Sequence, residues 1–311
     1  ALLLDLGPGD EVIVPSFTFV STANAFALRG AVPVFVDIRP DTLNLDETLL
    51  EAALTPRTRA IVPVHYGGVA CEMDPILALA ARRGLRVVED AAQGVGAAYK
   101  GRALGSLGDL GAFSFHETKN VISGEGGALL VNSPDYERGA EIIREKGTDR
   151  GRFFRGEVDK YTWQSLGSSF LSGELTAAFL LAQLEEVRPI TALRLAAWER
   201  YHQALAPLEA RGLLRRPQVP AHCAHNGHLY YVLLAPGLDR LKVLEAFHRE
   251  NIHPVTHYVP LHSSPAGLRY GRAQGDLAVT DRVAGSLLRL PLWVGLSQAQ
   301  QDRVVEVLTR L

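Results

Sequence analysis

Short apolar runs alternate with amphipathic stretches through the first half of the chain. In chain order the alternating segments are 11–15, 21–29, 32–38, 45–54, 59–64 and 75–83. The first, third and fifth are rich in β-branched residues, whereas the others place apolar residues at helical spacing. Strands that alternate with helices in this way are typical of an α/β fold with a mostly parallel central sheet flanked by helices. We therefore predict that architecture.

Three further apolar runs, at 85–90, 110–115 and 127–132, each end in polar residues. Ligands of open α/β sheets lie beyond the carboxyl ends of the strands. Asp90 and Ser114 stand at two of these ends. We therefore expect both side chains at a binding site.

A second unit follows a long helical stretch at 174–208. Its segments are 230–234, 241–250, 252–257 and 298–311. They predict a smaller α+β domain, and we place the two domains at 1–185 and 186–311. The segment 147–156 is rich in Gly and Arg and is predicted to be a surface loop near the site.

Composition narrows the classes of partner. The 311 residues include 32 Lys and Arg against 34 Asp and Glu, the pI is near 6.6, and no basic run occurs. Nucleic acid and anionic membranes are therefore not expected partners, and a small molecule is. The longest apolar stretches, such as 177–182, are far shorter than the roughly 20 residues that a membrane span needs.

Two cysteines, Cys71 and Cys223, lie far apart and outside any Cys-x-x-Cys spacing. This pattern predicts neither a disulfide framework nor a metal site, and we expect reduced thiols in the cytoplasm. The sequence opens at Ala1, inside a helical pattern without a capping residue. We therefore expect the large domain to be N-terminally incomplete.

Candidate chemistry centres on Lys119, which follows a strand end at Ser114 and precedes a glycine-rich turn. A single lysine is most often a solvated surface charge. In a cleft, however, a lysine whose amine is partly neutral can form a Schiff base, and a neighbouring hydroxyl can hold a phosphate. Lys119 and Ser114 have the chemistry for these two tasks.

A pyridine cofactor that accepts electrons also needs a carboxylate to keep its ring nitrogen protonated. Asp90 has the position for that role, although an ordinary helix cap at the strand end is an equal alternative. Phe17 and Phe19 follow the strand at 11–15, where one ring could stack on a planar cofactor or simply pack.

Five motifs taken together are far more specific than any of these residues alone. They are Pro-Gly-Asp-Glu-Val-Ile-Val-Pro-Ser (8–16), Val-Pro-Val-His-Tyr-Gly-Gly (62–68), Glu-Asp-Ala-Ala-Gln (89–93), Ser-Phe-His-Glu-Thr-Lys-Asn (114–120) and Gly-Glu-Gly-Gly (124–127). With them the whole chain resembles the DegT/DnrJ-type sugar-nucleotide aminotransferases. The resemblance implies the fold-type I architecture, pyridoxal 5'-phosphate as cofactor, and a homodimer that forms its sites between two subunits.

The resemblance also implies a role for each matching residue. Lys119 corresponds to the Schiff-base lysine, Asp90 to the partner of the pyridinium nitrogen, and Phe19 to the ring stacked on the cofactor. Gln93 corresponds to a contact near the cofactor's 3-hydroxyl, and Ser114 to a phosphate ligand.

Four further residues are implied as contacts of the sugar. His257 and Tyr258 belong to Thr-His-Tyr-Val-Pro-Leu-His (256–262), the segment that approaches the sugar in this family. His65 and Tyr66 belong to the same class of candidates. Structural roles are the alternative for the histidines, of which the chain has ten.

Within the family, the strongest resemblance is to members that aminate C4 of dTDP-4-oxo-6-deoxy-D-glucose. It depends on the segments Phe17–Phe26, Ser114–Asn120, Glu141–Thr148 and Phe153–Trp163. It implies glutamate as amino donor, with the 4-amino-4,6-dideoxy sugar and 2-oxoglutarate as products.

Two departures from the family pattern stand out. Members of the family carry several dozen residues before the point that corresponds to Ala1, including a turn at a helix N-terminus that binds the cofactor phosphate. Many members also place Asn or Arg where this chain has Leu171, and that residue reaches the neighbouring subunit's site. Ser169 is a candidate to replace that contact.

Three alternative functions are weighed against transamination. A related sugar dehydratase has His at the lysine position, so Lys119 argues against it. A nicotinamide-dependent sugar enzyme would need Gly-x-Gly-x-x-Gly after a strand, which the sequence lacks. A non-catalytic sensor on the same fold, or an aminotransferase for a different keto position, remains open.

Overall fold

The computed structural model describes residues 1–311. The strands are β1 Glu11–Pro15, β2 Val32–Val36, β3 Thr58–Ile61, β4 Arg86–Asp90, β5 Ala98–Tyr99, β6 Arg102–Ala103, β7 Leu110–Ser114, β8 Gly127–Val131, β9 Leu214–Arg215, β10 Cys223–Ala224, β11 Tyr230–Leu234, β12 Arg272–Ala273 and β13 Leu287–Leu290. The helices are α1 Val20–Ala27, α2 Leu50–Ala53, α3 Met73–Arg83, α4 Glu137–Arg144, α5 Arg150–Phe154, α6 Glu174–Glu185, α7 Val187–Ala204, α8 Ala206–Ala210, α9 Arg240–Arg249, α10 Pro265–Tyr270, α11 Ala278–Ser286 and α12 Gln298–Thr309.

A seven-stranded sheet with the order β12-β2-β1-β3-β4-β7-β8 forms the centre of the first half. All of its neighbouring pairs are parallel except β7 and β8, which are antiparallel. The predicted mostly parallel α/β architecture is therefore confirmed. Because the parallel strands all end at the same edge, the polar residues that follow β1, β3, β4 and β7 converge there.

Both faces of the central strand β1 are covered. Ile13 of β1 points into a core that includes Ile76 and Leu79 of α3. Its neighbours Val12 and Val14 point the other way and pack in a core with Phe26 of α1. Successive strand residues face opposite sides, so a run that is apolar at every position is the expected pattern for a strand buried on both faces.

The second half has its own apolar core around a small antiparallel sheet, β13-β11-β9. Helices α7, α9 and α12 supply Trp198, Phe247 and Leu308 to that core. However, β12 returns to the edge of the large sheet beside β2, so part of the second half packs with the first. The boundary near residue 185, where α6 ends, stays a prediction.

Two segments have local structure that the sequence pattern did not specify. Residues 252–257 form one bridge, from Val255 to Arg289, and Pro254 has no N–H to continue a ladder. The predicted loop at 147–156 contains the short helix α5, which is held by ion pairs of Arg155 with Glu141 and Glu157.

The two cysteines are both free thiols, with Cys71 buried and Cys223 partly buried. Burial raises the pKa of Cys223 to about 11. None of the helices combines the length and the apolar composition that a membrane crossing requires.

A buried carboxylate after β2 ties the second half to the large sheet. Asp37 accepts hydrogen bonds from the backbone N–H groups of Val279 and Thr280 at 2.9 and 2.8 Å, and from the Thr280 hydroxyl at 2.7 Å. These N–H groups lie in the first turn of α11, where a helix offers donors without intrahelical partners. Asp37 therefore caps a helix that is distant in sequence.

We expect Asp37→Ala to lower the free energy of unfolding by about 2–3 kcal/mol, because the three donors of α11 and the Ile38 N–H lose their buried acceptor. Urea denaturation followed by circular dichroism measures the change. Asp276→Ala is the matched control, since Asp276 is exposed and accepts one long contact of 3.4 Å from Ala278. An effect no larger than the control's would contradict the capping role.

Candidate active site

The candidate site lies at the edge where the parallel strands end. Asp90 ends β4, Ser114 ends β7, and Phe19 lies directly before α1. A cavity of about 1960 Å³ opens there and is lined by Asp90 and Ser114 together with Thr22 and Ala92. The two strand-end residues predicted from the sequence thus share one cavity.

Asp90 is held by a short chain of hydroxyls. The Thr22 hydroxyl donates to Asp90 Oδ2 at 2.6 Å, and Thr18 Oγ1 lies 2.8 Å from Thr22 Oγ1. Because Thr22 has already donated its proton to Asp90, Thr18 must donate to Thr22. The N–H of Ala92 donates to Asp90 Oδ1 at 3.1 Å. Each carboxylate oxygen thus accepts one hydrogen bond from the chain and keeps acceptor capacity for a ligand.

Lys119 lies in the turn after β7 and its amine forms no hydrogen bond or ion pair within the chain. Lys119 is partly buried, and this burial is the main cause that lowers the pKa of its amine. The positive charge of Arg289 lowers the pKa further, whereas the negative charge of Asp90 raises it. The Lys119 side chain does not line the large cavity itself. Its free amine, with a lowered pKa and within electrostatic reach of Asp90, has the properties that attack on a carbonyl carbon requires.

The motif residue Glu89, next to Asp90, points the opposite way, into the core. Glu89 is fully buried and accepts hydrogen bonds from the N–H groups of Gly105, Leu107 and Gly108 at 2.8, 2.6 and 2.7 Å. Burial by itself would raise the pKa of Glu89, but the hydrogen bonds from His65 and the backbone lower it overall. Glu89 therefore fixes the loop before β7 from below the site.

His65 does not reach the cavity. Its ring is fully buried: Nδ1 accepts from the Cys71 N–H at 3.1 Å, so Nε2 carries the proton and donates to Glu89 at 2.9 Å. Both ring nitrogens are thereby occupied beneath the sheet edge. The expected sugar contact of His65 is corrected to a role in positioning Glu89.

Gln93 and Tyr258 are joined across the site. Gln93 Oε1 accepts from the Gly67 N–H at 2.7 Å, and its amide donates to the Tyr258 hydroxyl at 3.0 Å. Phe19, with 58% of its side chain exposed, lies 6.5 Å from the Tyr258 ring between centroids. The structure therefore brings these three predicted residues together, although none of them lines the large cavity.

Tyr66 and His257 form a second pair. Tyr66 is buried, and its hydroxyl lies 3.1 Å from His257 Nδ1. On the other side, Arg289 Nη1 lies 3.4 Å from His257 Nε2. Burial and the charge of Arg289 lower the pKa of His257 to about 2, so the ring is neutral and carries its proton on Nδ1, toward Tyr66.

A network of amides connects the lysine turn to the second half of the chain. Asn120, adjacent to Lys119, donates to the Asn226 carbonyl at 3.0 Å and accepts from His228 Nδ1 at 2.9 Å. Asn226 in turn donates to the carbonyls of Gln93 and Val95 at 2.7 and 2.8 Å. The turn that carries the lysine is therefore fixed by residues more than 100 positions away.

Gly68 is required where this network meets the site. Its φ is +78°, in the left-handed region, and a Cβ there would lie 2.0 Å from Asn226 Oδ1. Any other residue would displace the Asn226 side chain. The second glycine of Val-Pro-Val-His-Tyr-Gly-Gly is therefore a packing requirement.

The sequence does not by itself single out Thr22, Arg289, Asn226 or His228. Thr22 lies within the segment whose signal comes from the aromatic residues Phe17 and Phe19. Arg289 had a signal, because it is a lone charge in the apolar run Leu287–Leu292. Nothing in the local sequence of Asn226 or His228 indicates their partners.

Comparison with known proteins decides the family. The profile of the DegT/DnrJ/EryC1/StrS aminotransferase family matches residues 1–309. The chain belongs to this family. The GDP-perosamine synthase of Caulobacter vibrioides is 40% identical to this chain, and the match covers 99% of this chain and 81% of the relative.

Solved structures agree with the sequence comparison. The aminotransferase TlmJ of Streptoalloteichus hindustanus superposes with a TM-score of 0.90 at 32% identity, covering 99% of this chain and 81% of that one. DesI in the presence of its TDP-sugar product superposes with a TM-score of 0.86 at 32% identity, covering 99% and 76%. The predicted family and its aminotransferase fold are therefore confirmed.

Aminotransferases of this family depend on pyridoxal phosphate, and a sugar aminotransferase of Streptococcus pneumoniae that superposes on this chain has been solved in PLP and PMP forms. The predicted cofactor is thus confirmed. The residues present fit this group: Lys119 has an unpartnered amine, Asp90 has free acceptor capacity toward the cavity, and Ser114 lines the same cavity.

The lowered pKa of Lys119 makes the stability of the cofactor-free protein depend on pH. The unfolded chain holds the lysine proton more tightly than the folded protein does, so the free energy of unfolding rises with pH between the lowered pKa and the ordinary value of 10.5. We therefore expect Lys119→Met to raise the melting temperature at pH 7, with a gain that shrinks as the pH approaches 10.5.

Thermal melts from pH 7 to about 10.5 measure this difference. Lys242→Met is the control, because Lys242 is exposed and makes no ion pair. A Lys119→Met protein that is less stable than the unsubstituted protein at pH 7 would show that the charged amine is stabilised by the fold.

Proposed function

We propose that the protein transfers the amino group of glutamate to C4 of a nucleotide-linked 4-keto-6-deoxy sugar, dTDP-4-oxo-6-deoxy-D-glucose. The products are the 4-amino-4,6-dideoxy sugar and 2-oxoglutarate. The observation that carries the proposal is the free amine of Lys119 in electrostatic reach of Asp90, in a chain of this aminotransferase family.

Pyridoxal phosphate, when bound, supplies an electrophilic carbon for the amino group and a pyridine ring that accepts electrons. Asp90 would hold the ring nitrogen protonated, since the hydroxyl chain from Thr18 through Thr22 orients its carboxylate. Ser114 would bind the phosphate, and Phe19 would cover one face of the ring. Each of these roles uses a group that the chain leaves available to a ligand.

Lys119 would act as the base. Its lowered pKa gives a larger neutral fraction, so Nζ can take the proton from the donor's α-carbon and return a proton to the cofactor carbon. In the second half-reaction the same amine moves the proton in the opposite sense, toward C4 of the sugar. Tyr258 and His257 would contact the sugar, with Gln93 fixing the Tyr258 hydroxyl.

The related proteins differ in the nucleotide that their names carry. One relative carries GDP in its name and one related structure was solved with a TDP-sugar product. The motifs that favour dTDP lie in 141–148 and 153–163, next to the site, and Arg152 and Arg155 line the large cavity. A direct comparison of dTDP- and GDP-linked keto-sugars therefore decides this point.

The purified protein, loaded with pyridoxal phosphate, should convert dTDP-4-oxo-6-deoxy-D-glucose and glutamate to amino-sugar and 2-oxoglutarate, as detected by mass spectrometry. Lys119→Ala should abolish turnover and the visible absorbance of the loaded protein. The substitution removes the nitrogen that would hold the cofactor and take the proton from the donor's α-carbon. Lys242→Ala, which removes an exposed lysine, is the control.

Each other product contradicts one part of the proposal. A deoxygenated sugar would indicate dehydration, and amination only of the GDP-linked sugar would contradict the choice of nucleotide. A loaded protein whose spectrum does not respond to glutamate would favour a non-catalytic sensor. One relative has a regulatory name: the pleiotropic regulatory protein of Geobacillus stearothermophilus is 37% identical, over 97% of this chain and 78% of the relative.

We further propose that the protein is a homodimer, as the family resemblance implies, and that α6 lies in its interface. This helix is apolar on all sides and has no buried residue; Leu175 is 90% exposed and Phe179 52%. A helix of that composition is normally covered. The segment 169–173, which contains Ser169 and Leu171, precedes the helix and lines the cavity with Asp90, so a second copy on α6 would lie next to the site.

Leu175→Asp should therefore convert the dimer to a monomer in sedimentation velocity at micromolar concentration, since it places a charge in an apolar interface. Leu268→Asp is the matched control, because Leu268 is 72% exposed but lies on α10, away from α6. An unsubstituted protein that sediments as a monomer would contradict the homodimer.

A further inference from the structure

Two sequence motifs end in residues that the proposed function does not use, Ser16 of the motif 8–16 and His262 of the motif 256–262. The fold brings them into contact although 246 positions separate them. Ser16 directly follows β1 and is fully buried, whereas 13% of the His262 side chain is exposed. Their contact therefore joins the edge of the large sheet to the segment that carries two of the proposed sugar contacts.

Three hydrogen bonds make up this contact. The Ser16 carbonyl accepts from the Leu261 N–H at 3.1 Å, and Ser16 Oγ accepts from the His262 N–H at 3.0 Å. Ser16 Oγ also lies 2.7 Å from His262 Nδ1. Because a buried hydroxyl keeps its proton in a hydrogen bond, Ser16 donates to Nδ1. The Ser16 hydroxyl thus holds both the backbone and the ring of one residue.

The other side of the imidazole ring has a much weaker contact. His262 Nε2 lies 3.6 Å from Asp281 Oδ1, and 55% of the Asp281 side chain is exposed. An ion pair that is open to solvent in this way contributes little. Ser16 is therefore the residue that fixes the His262 ring.

The segment 256–260 depends on contacts at its two ends. On the upstream side, Val255 and Arg289 exchange two backbone hydrogen bonds of 3.1 and 2.8 Å. On the downstream side, the contact with Ser16 begins at Leu261. Between these points the segment is neither helix nor strand, and its backbone makes no backbone–backbone hydrogen bond. The position of its side chains therefore follows from where the two ends are held.

An aromatic contact links the same end of β1 to Tyr258. Phe17, next to Ser16, is buried and packs edge-on against the Tyr258 ring, with 5.4 Å between the centroids. Apolar packing of this kind is not directional, whereas hydrogen bonds fix both distance and angle. The hydrogen bonds of Ser16 therefore set the backbone position that places the Tyr258 ring.

We propose that Ser16 and His262 are positioning residues for the keto-sugar: the hydrogen bonds between them hold the segment 256–260 where it binds the sugar. The inference rests on the proposed function, which assigns His257 and Tyr258 to the sugar. Ser16 is fully buried and acts through His262 without touching the substrate. Since a misplacement of about 1 Å can cost about 100-fold in rate, the loss of this contact should impair the use of the sugar.

The first test measures binding to the protein loaded with pyridoxal phosphate. The glutamate dependence of the absorbance change gives one apparent Kd, and titration of the aminated form with the keto-sugar gives another. We expect Ser16→Ala to raise the Kd for the keto-sugar about 10-fold and to leave that for glutamate within about 2-fold. Leu261 stays buried in the apolar core with Val12 and Val14, so the variant should remain folded.

Two substitutions of His262 provide a matched pair. His262→Asn keeps an acceptor near the place of Nδ1 and should retain most of the affinity for the keto-sugar. His262→Gln places its amide near the position of Nε2 instead, so it should lose affinity as Ser16→Ala does. The double variant Ser16→Ala/His262→Gln should lose about 10-fold, not the roughly 100-fold that two independent effects would give.

Two further variants are controls. Asp281→Asn removes the exposed ion pair of the His262 ring and should change neither Kd. Asp239→Ala removes the side-chain cap of α9 and lowers the stability of the second half without touching 256–262. Melting curves report the stability of each variant. If Asp239→Ala raised the keto-sugar Kd as much as Ser16→Ala does, the positioning role would be wrong.

Hydrogen–deuterium exchange of the cofactor-free protein gives a readout that needs no substrate. The peptide that covers 256–264 should exchange faster in Ser16→Ala and His262→Gln than in His262→Asn or the unsubstituted protein, because one or two of the three hydrogen bonds are lost. Unchanged exchange, or faster exchange with an unchanged keto-sugar Kd, would overturn the inference.

Failure of the proposed function has a different signature. An unsubstituted protein that protects 256–264 from exchange but does not bind the keto-sugar would overturn the proposed substrate, and the positioning role with it. A protein that binds the keto-sugar equally well with and without the Ser16 hydroxyl would overturn the positioning role alone.

Discussion

Two adjacent carboxylates at the end of β4 are the constraint on which the rest of the site depends. Because neighbouring strand residues face opposite sides, Glu89 points into the core and Asp90 toward the cavity. Glu89 accepts four hydrogen bonds, from His65 and from the loop before β7, and so fixes the strand end. The orientation of Asp90 toward a ligand follows from the rigidity of its neighbour, which explains why the motif contains two acids rather than one.

The site stores unfavourable electrostatics that a ligand can relieve. Lys119 is desolvated, and two histidines of the same region, His228 and His257, are held neutral by burial. Further acids around Lys119 would stabilise the protein, but they would also hold the lysine charged. Asp90 is the acid whose charge acts on Lys119, so the chain gives up stability for an amine that is more easily deprotonated.

Much of the architecture was predictable because it follows local pattern. The strand at 11–15 is apolar from Val12 to Pro15. Asp90 and Ser114 stand at strand ends, so parallel pairing alone brings them together. The placement of His65 was not predictable, since one step along an extended segment decides whether a side chain faces core or cavity. Arg289 was not predicted either, because only the fold brings a residue on β13 to Lys119.

Side-chain amides next to the site connect the two halves of the chain. Asn226 bonds the carbonyls of Gln93 and Val95, Asn120 bonds His228, and Gly68 leaves the space that Asn226 occupies. Gln93 also donates to the Tyr258 hydroxyl, so the proposed cofactor contacts on the large sheet are connected through these amides to one of the proposed sugar contacts. Since a positional error of about 1 Å is costly in catalysis, such shared supports couple the geometry of the proposed base to that of the proposed sugar contacts.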